Sequence, residues 1–209
     1  MKNTIPVIDL FAGPGGLGEG FSAYRDSTGY FPFRISLSIE KDFYAHQTLE
    51  LRSFFRQFLY DDAPKEYYDF LRNTIKQEEA RRLLFDAWPE EASRAKQEAF
   101  LATLGKDDPK MIRSIIKNTV KDADDFILLG GPPCQAYSIM GRSRNRGNPE
   151  YIPESDVRQR LYVEYLQVLA DHSPAAFVME NVKGLISATL DNQRIFEHIL
   201  NDLRNPCEA

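Results

Sequence analysis

Cysteine is almost absent: the 209 residues contain two, Cys134 and Cys207. They form no CxxC pair and sit in no metal-ligand spacing. That argues against a disulfide framework and against a metal site, and a reducing compartment is the default. No run of about 18 apolar residues occurs, so no transmembrane helix is expected. Met1 leads directly into a strand-like segment, without a charged region and an apolar stretch behind it. A cytoplasmic location is therefore expected. Cations are not in excess either, with 26 Lys and Arg against 31 Asp and Glu, a net charge of −5 and a pI near 5.3. That balance is not the footprint of a self-sufficient nucleic-acid binder, although charge is local. Repeats and low-complexity tracts are missing. What is present, 43% apolar and 12% aromatic residues, is ordinary globular composition, able to bury a core. The length fits one large domain, or one domain with a sizeable insertion.

Apolar runs alternate with helical patterns. IPVIDLF (5–11) reads as a buried strand, closed by a glycine-rich turn and a helix from about 16 to 24. FRISLSIE (33–40) is a second strand ending on Glu40, with a helix from about 42 into LRSFF. DFILL (125–129) is a third strand closed by GGPP, and AAFVMEN (175–181) a further one ending on Glu180. LYVEYLQVLADH (161–172) and IFEHILNDL (195–203) have helical spacing. Such alternation predicts an α/β fold, a doubly wound and mostly parallel sheet with crossover helices. Residues 51–120 hold 13 Lys/Arg and 12 Asp/Glu at helical spacing, as in EASRAKQEAFLATL. They are expected to form a solvated helical insertion within a single domain spanning 1–209.

Three segments carry chemistry. DLFAGPGGLGEGF contains a GxGxxG match at Gly13, Gly15 and Gly18, and Glu40 lies 22 residues after Gly18. Glycines permit a tight turn, and an acid so placed binds ribose hydroxyls. NAD, FAD and S-adenosylmethionine all present an adenosine ribose to such an acid, and the glycines alone would equally serve helix–strand packing. GGPPCQAYS (130–138) places Cys134 directly after two prolines at the end of a strand. The prolines fix φ and remove two donors, and a cysteine at that edge is exposed enough to react. AFVMENV (176–182) puts Glu180 at a strand end with Asn181 beside it, where a carboxyl is costly unless it is paired, functional or capping a helix. Between Gly141 and Leu161 five arginines (Arg142, Arg144, Arg146, Arg158, Arg160) stand against three acids.

Together these segments resemble the DNA cytosine-5 methyltransferase family: a cofactor signature, a Pro-Cys nucleophile signature and a Glu-Asn-Val signature. SDVRQRLYVEYLQVL (155–169) is similar to that family's Asp-x-Arg-x-x-Leu element, here Asp156, Arg158 and Leu161. The four occur in the family's order, over residues 5–50 and 122–200. The resemblance implies the Rossmann-like fold of the S-adenosylmethionine-dependent methyltransferases. It also implies a cofactor site made by Phe11, Ala12, Gly13, Gly15, Gly16, Leu17, Glu40, Lys41, Pro132 and Leu161. Lys41 stands where family members often have a bulky residue packing on adenine. The acid that meets the adenine amino group falls in the long stretch 51–125, with Asp107 and Asp108 as candidates.

The resemblance further implies that the Cys134 thiolate adds to C6 of a cytosine flipped out of double-stranded DNA, helped by Pro133, Glu180 and Asn181. Gln135, Ser138, Arg142, Arg144, Arg146 and Arg158 would face the DNA, and a restriction endonuclease is the genetic partner it suggests. Two other readings stay open: a tRNA cytosine-5 methyltransferase, or a non-catalytic remnant that keeps the cofactor pocket. The family's target recognition region would follow Ala209. The chain is accordingly expected to be the N-terminal catalytic part and to lack sequence-specific activity alone.

Overall fold

The computed structural model describes residues 4–58, 62–72, 77–132, 161–187, 189–190 and 193–207. β1 (Ile5–Leu10) buries five of its six residues. A near-continuous apolar run is what a central parallel strand, covered on both faces, requires. β2 (Phe33–Glu40), β3 (Ala99–Leu101), β4 (Ile127–Gly130) and β5 (Ala176–Met179) complete one sheet in the order β3-β2-β1-β4-β5, every pairing parallel. The helices are α1 (Gly16–Ala23), α2 (Phe43–Phe55), α3 (Lys65–Arg72), α4 (Gln77–Ala87), α5 (Pro89–Glu98), α6 (Pro109–Val120), α7 (Leu161–His172) and α8 (Ile195–Arg204). This is the doubly wound, Rossmann-like arrangement anticipated from the strand–helix alternation. Its strand order reverses between β1 and β4, so the ligand crevice lies outside the carboxyl ends of those strands.

Side-chain alternation divides the core between the two faces of the sheet. Ile8, Leu10, Leu37, Ile39 and Leu128 pack with Ile112 and Ile116 of α6 and with Tyr165 and Leu166 of α7. Val7, Ile35 and Leu129 pack on the other side, against Leu17 and Phe21 of α1. A register shift between Val7 and Ile8 places Ile35 and Leu37 in different clusters although they are two residues apart. Side chains also set the helix starts. Asp42 accepts from the Ala45 N–H at 2.8 Å at the head of α2. Asp108 caps α6, with Pro109 at its first position.

The stretch expected to be wholly helical is not. α5 ends at Glu98, and Ala99–Leu101 join the sheet edge opposite Ser38–Glu40. Pairing with β2 outweighs the helical propensity of AFLATL, since it buries Ala99 and lets Ala102 N–H donate to the Glu40 carbonyl at 3.0 Å. Strand β3 and helix α6 thus belong to the sheet framework. α2, α4 and α5 close a separate cluster around Phe54, Phe85 and Ala95, with Phe54 and Phe85 stacked at 5.0 Å. Among the described residues no helix is long and apolar enough to cross a membrane.

Candidate functional site

The carboxyl end of β1 runs into a turn that only glycine-rich sequence can make. Gly13 and Gly15 take φ of 57° and 91°, and Phe11 itself takes φ 56°. A bulky residue at positive φ is an outlier that marks a constrained, often functional, position. The Gly15 N–H closes the turn onto the Ala12 carbonyl at 2.9 Å, and the Ala12 N–H reaches the Ile39 carbonyl at 3.0 Å. A Cβ on Gly15 would lie 2.8 Å from Leu49 Cδ1 of α2, so no side chain fits there. Gly15 is the N-cap of α1 and supplies no side-chain cap. The N–H groups of Gly16 and Leu17 are thereby left without a side-chain cap at the carboxyl edge. Leu17 packs its side chain on the core below and offers only its backbone.

Glu40 ends β2 beside this turn and is 8% exposed. Its Oε2 accepts from the Gly13 N–H and its Oε1 from the Asp42 N–H, both at 2.7 Å. Lys41, next to it, is exposed. Asp107 accepts from the Thr103 N–H at 2.7 Å, beyond the end of β3. With Asp108 capping α6, both candidate acids are engaged in local backbone bonds.

Two residues at this edge were not singled out from the sequence. Asp9, in β1, is 1% exposed; it bonds the Gly18 N–H of α1, and its Oδ2 has no partner. Burial raises its carboxyl to about 7, against the opposing pull of the Gly18 amide and the Arg56 guanidinium, with Glu40 adding to the rise. An acid inside the apolar run IPVIDLF is the signal that could have found it. Arg52 of α2 donates from Nη1 to the Pro14 carbonyl at 2.8 Å; nothing in the local sequence marks it.

The other half of the site lies across β4 and β5. These strands pair Gly130 with Met179, so Glu180 emerges beside Gly131, and its N–H donates to the Gly130 carbonyl at 2.8 Å. A Cβ on Gly131 would be 3.0 Å from Glu180 Oε2, which places the exposed carboxylate against the start of the Pro132-Pro133-Cys134 segment. Asn181 turns its Oδ1 back to the Val182 N–H at 2.8 Å. Under the two strands, the Tyr165 hydroxyl lies 3.1 Å from the Leu128 carbonyl and 3.2 Å from that of Val178. Its burial pushes the phenol well above the usual range. A Cβ on Gly130 would come within 2.6 Å of the Tyr165 ring, so glycine is required where β4 ends. Pro132 and Leu161 are buried. Pro133, Cys134, Gln135, Ser138, Arg142, Arg144, Arg146 and Arg158 lie outside the described residues. The structure thus brings the glycine turn, Glu40 and Glu180 to one edge of the sheet.

Comparison with known proteins bears on what that edge does. The family described as C-5 cytosine-specific DNA methylase matches residues 87–206. The type II methyltransferase M.Bpa9945I of Bacillus paralicheniformis is 32% identical over 195 residues, covering 87% of this chain and 41% of that protein. The type II methyltransferase M.DdeI of Desulfomicrobium norvegicum is 28% identical over 194 residues, 93% of this chain and 32% of that protein. The chain therefore spans a third to two fifths of these relatives' lengths. The solved structure of the Entamoeba histolytica methyltransferase EhMeth aligns over 97% of this chain and 44% of that one, with a TM-score of 0.46 and 15% identity.

Proposed function

The chain belongs to the C-5 cytosine-specific DNA methylase family, and from that premise we propose that it carries the catalytic centre of an S-adenosylmethionine-dependent DNA cytosine-5 methyltransferase. One observation supports this most: the glycine turn with Glu40 and the Glu180 strand end meet at a single carboxyl edge of a doubly wound sheet, flanking the strand that leads to Cys134.

The residues present suit the cofactor. A carboxylate has about four acceptor sites, and Glu40 uses two on the Gly13 and Asp42 amides, which leaves acceptors for two ribose hydroxyls. The uncapped start of α1, at Gly16 and Leu17, offers N–H donors and the positive end of a helix dipole to a carboxylate. Phe11, Ala12, Lys41, Pro132 and Leu161 would complete the enclosure. When bound, S-adenosylmethionine supplies an electrophilic methyl group.

The rest of the chemistry belongs to the chain's own side chains. Cytosine C5 is a weak nucleophile until the ring is activated. The Cys134 thiolate forms a bond to C6, and the C5=C6 electron pair becomes available at C5 to take the methyl. Glu180 hydrogen-bonds the N3/N4 edge and stabilises the charge developing on the ring, with Asn181 shaping the strand end beside it. A base, a role water can fill, then takes the C5 proton, and its electron pair restores the C5=C6 bond and expels the Cys134 thiolate. Pro133 stiffens the approach to the nucleophile. The target base must leave the duplex to reach this edge. Gln135, Ser138, Arg142, Arg144, Arg146 and Arg158 would hold the opened double-stranded DNA through phosphate and base contacts.

Duplex containing 5-fluorocytosine tests the proposal, because fluorine at C5 cannot leave as a proton and the adduct persists. With S-adenosylmethionine present, a version of the protein extended to its relatives' length should give a denaturation-resistant complex. Cys134→Ser should abolish it, since an alcohol is far less ionised than a thiol near neutral pH. An adduct that survives in the Cys134→Ser variant would falsify the assignment.

A further inference from the structure

The turn between β1 and α1 is held in a shape that the chain does not adopt by itself. Phe11, Gly13 and Gly15 all have positive φ within five residues; glycine adopts it freely, whereas Phe11 persists there only where the surroundings over-determine it. One restraint is the bond from the Gly13 N–H to Glu40. Glu40 is also the acid proposed to receive ribose hydroxyls, through the acceptor sites that the Gly13 and Asp42 amides leave open.

A second restraint comes from α2. Leu49, Arg52 and Arg56 lie at i, i+3 and i+7, on one face of that helix. All three meet the turn or the helix that follows it. Leu49 fills the space where a side chain on Gly15 would sit. Arg56 forms ion pairs with Glu19 of α1 and Glu98 of α5, joining α1 to the helical segment. Between them, Arg52 Nη1 donates to the Pro14 carbonyl at 2.8 Å.

That one bond has leverage. A peptide unit is planar, so the Pro14 carbonyl and the Gly15 N–H turn together. The N–H side of this plane is tied to the Ala12 carbonyl at 2.9 Å, and the carbonyl side is tied to Arg52. With both ends fixed, the plane that leads into Gly16 and Leu17 cannot turn without breaking one of the two bonds.

We infer that Arg52 is a positioning residue for the cofactor turn, locking the Pro14–Gly15 peptide so that the start of α1 faces the carboxyl edge in the bound and free states alike. The inference rests on the reading that S-adenosylmethionine binds at this edge. Arg52 does not touch the ligand. It adds to the restraint that Glu40 supplies through the Gly13 N–H, and it does so through a single N–H, which a lysine can also supply.

The test uses the 209-residue chain as wild type, Arg52→Ala and Arg52→Lys. Three quantities are measured: S-adenosylhomocysteine affinity by calorimetry, the urea midpoint, and hydrogen exchange of peptides covering residues 11–19. Arg52→Ala should bind about tenfold more weakly, the scale expected for one lost charged hydrogen bond. It should also exchange the turn amides faster, with the urea midpoint unchanged. Arg52→Lys should restore both affinity and protection to near wild type. Wild-type affinity and exchange in Arg52→Ala would overturn the inference, and so would an equal defect in Arg52→Lys. If wild type binds no S-adenosylhomocysteine, the cofactor reading fails. The clamp is then decided by exchange alone: faster in Ala and restored in Lys upholds it, and no change refutes it.

Discussion

Replacing Asp9 by asparagine should stabilise the protein at neutral and alkaline pH while changing little in shape. Asp9 is 1% exposed, and the buried carboxyl is raised from 3.8 to about 7. A raised folded value means the native state prefers the protonated form. Stability from this group is complete below pH 3.8 and is lost progressively as pH rises through 7. The span is about 3 units, and 1.36 kcal/mol per unit makes the full loss about 4 kcal/mol. Part of that loss has already occurred by pH 5, because the unfolded chain ionises first. Between pH 5 and pH 8 the remaining difference is about 2.5 kcal/mol. Asparagine keeps an oxygen for the Gly18 N–H and removes the charge. Arg56 and Glu40 act on the group with opposite signs and stay in place in the variant. Urea unfolding of both proteins at half-unit steps from pH 5 to 8.5 measures the effect, and taking the difference cancels every other titration. The stability advantage of Asp9→Asn should widen by about 2.5 kcal/mol across that range. Parallel stability curves would refute the reasoning, since they would mean that Asp9 titrates alike in the folded and unfolded chain.

Two further outcomes are expected. Gly130→Ala places a methyl 2.6 Å from the Tyr165 ring and 3.0 Å from the Leu10 carbonyl; it should cost about 1–3 kcal/mol in a urea titration, the range for overpacking a close-packed core. Glu40→Ala removes the acceptor for the Gly13 and Asp42 amides as well as the ribose ligand. Calorimetry should show S-adenosylhomocysteine affinity weakened by about 1.5–3 kcal/mol, and unchanged affinity would remove Glu40 from the site.

The strands at the centre of the sheet were legible because burial on both faces leaves an uninterrupted apolar run. IPVIDLF, FRISLSIE and DFILL became β1, β2 and β4 within two residues of their expected ends, and AFVM, at the exposed edge, became β5. β3 was not legible. Three residues long, and following a helix of strongly helix-forming sequence, it exists because β2 offers an edge for pairing, and a tertiary partner leaves no local mark. The same division runs through the site. Glycine spacing and strand-end acids announce themselves by position. Arg52 and Tyr165 act across 38 residues onto Pro14 and 37 onto Leu128, and their partners are set by helix packing. Asp9 lies between these cases, visible as an acid in an apolar strand but unassignable until Gly18 is seen above it.

The pairing of β4 with β5 limits how Cys134 can work. Gly130 sits opposite Met179, which fixes the Glu180 carboxylate against Gly131. Cys134 is three residues beyond Gly131 in the chain, and three residues fully extended cover about 10 Å. The proposed mechanism brings both groups to one pyrimidine ring, and proline is suited to ending the ladder of β4 before the thiol. Neither proline has an N–H to extend the sheet ladder. The consecutive glycines before them suit the close approach of Tyr165 to Gly130 and of Glu180 to Gly131. The sequence GGPPC thus sets glycine where neighbours leave no room beside proline, which has no donor for the ladder.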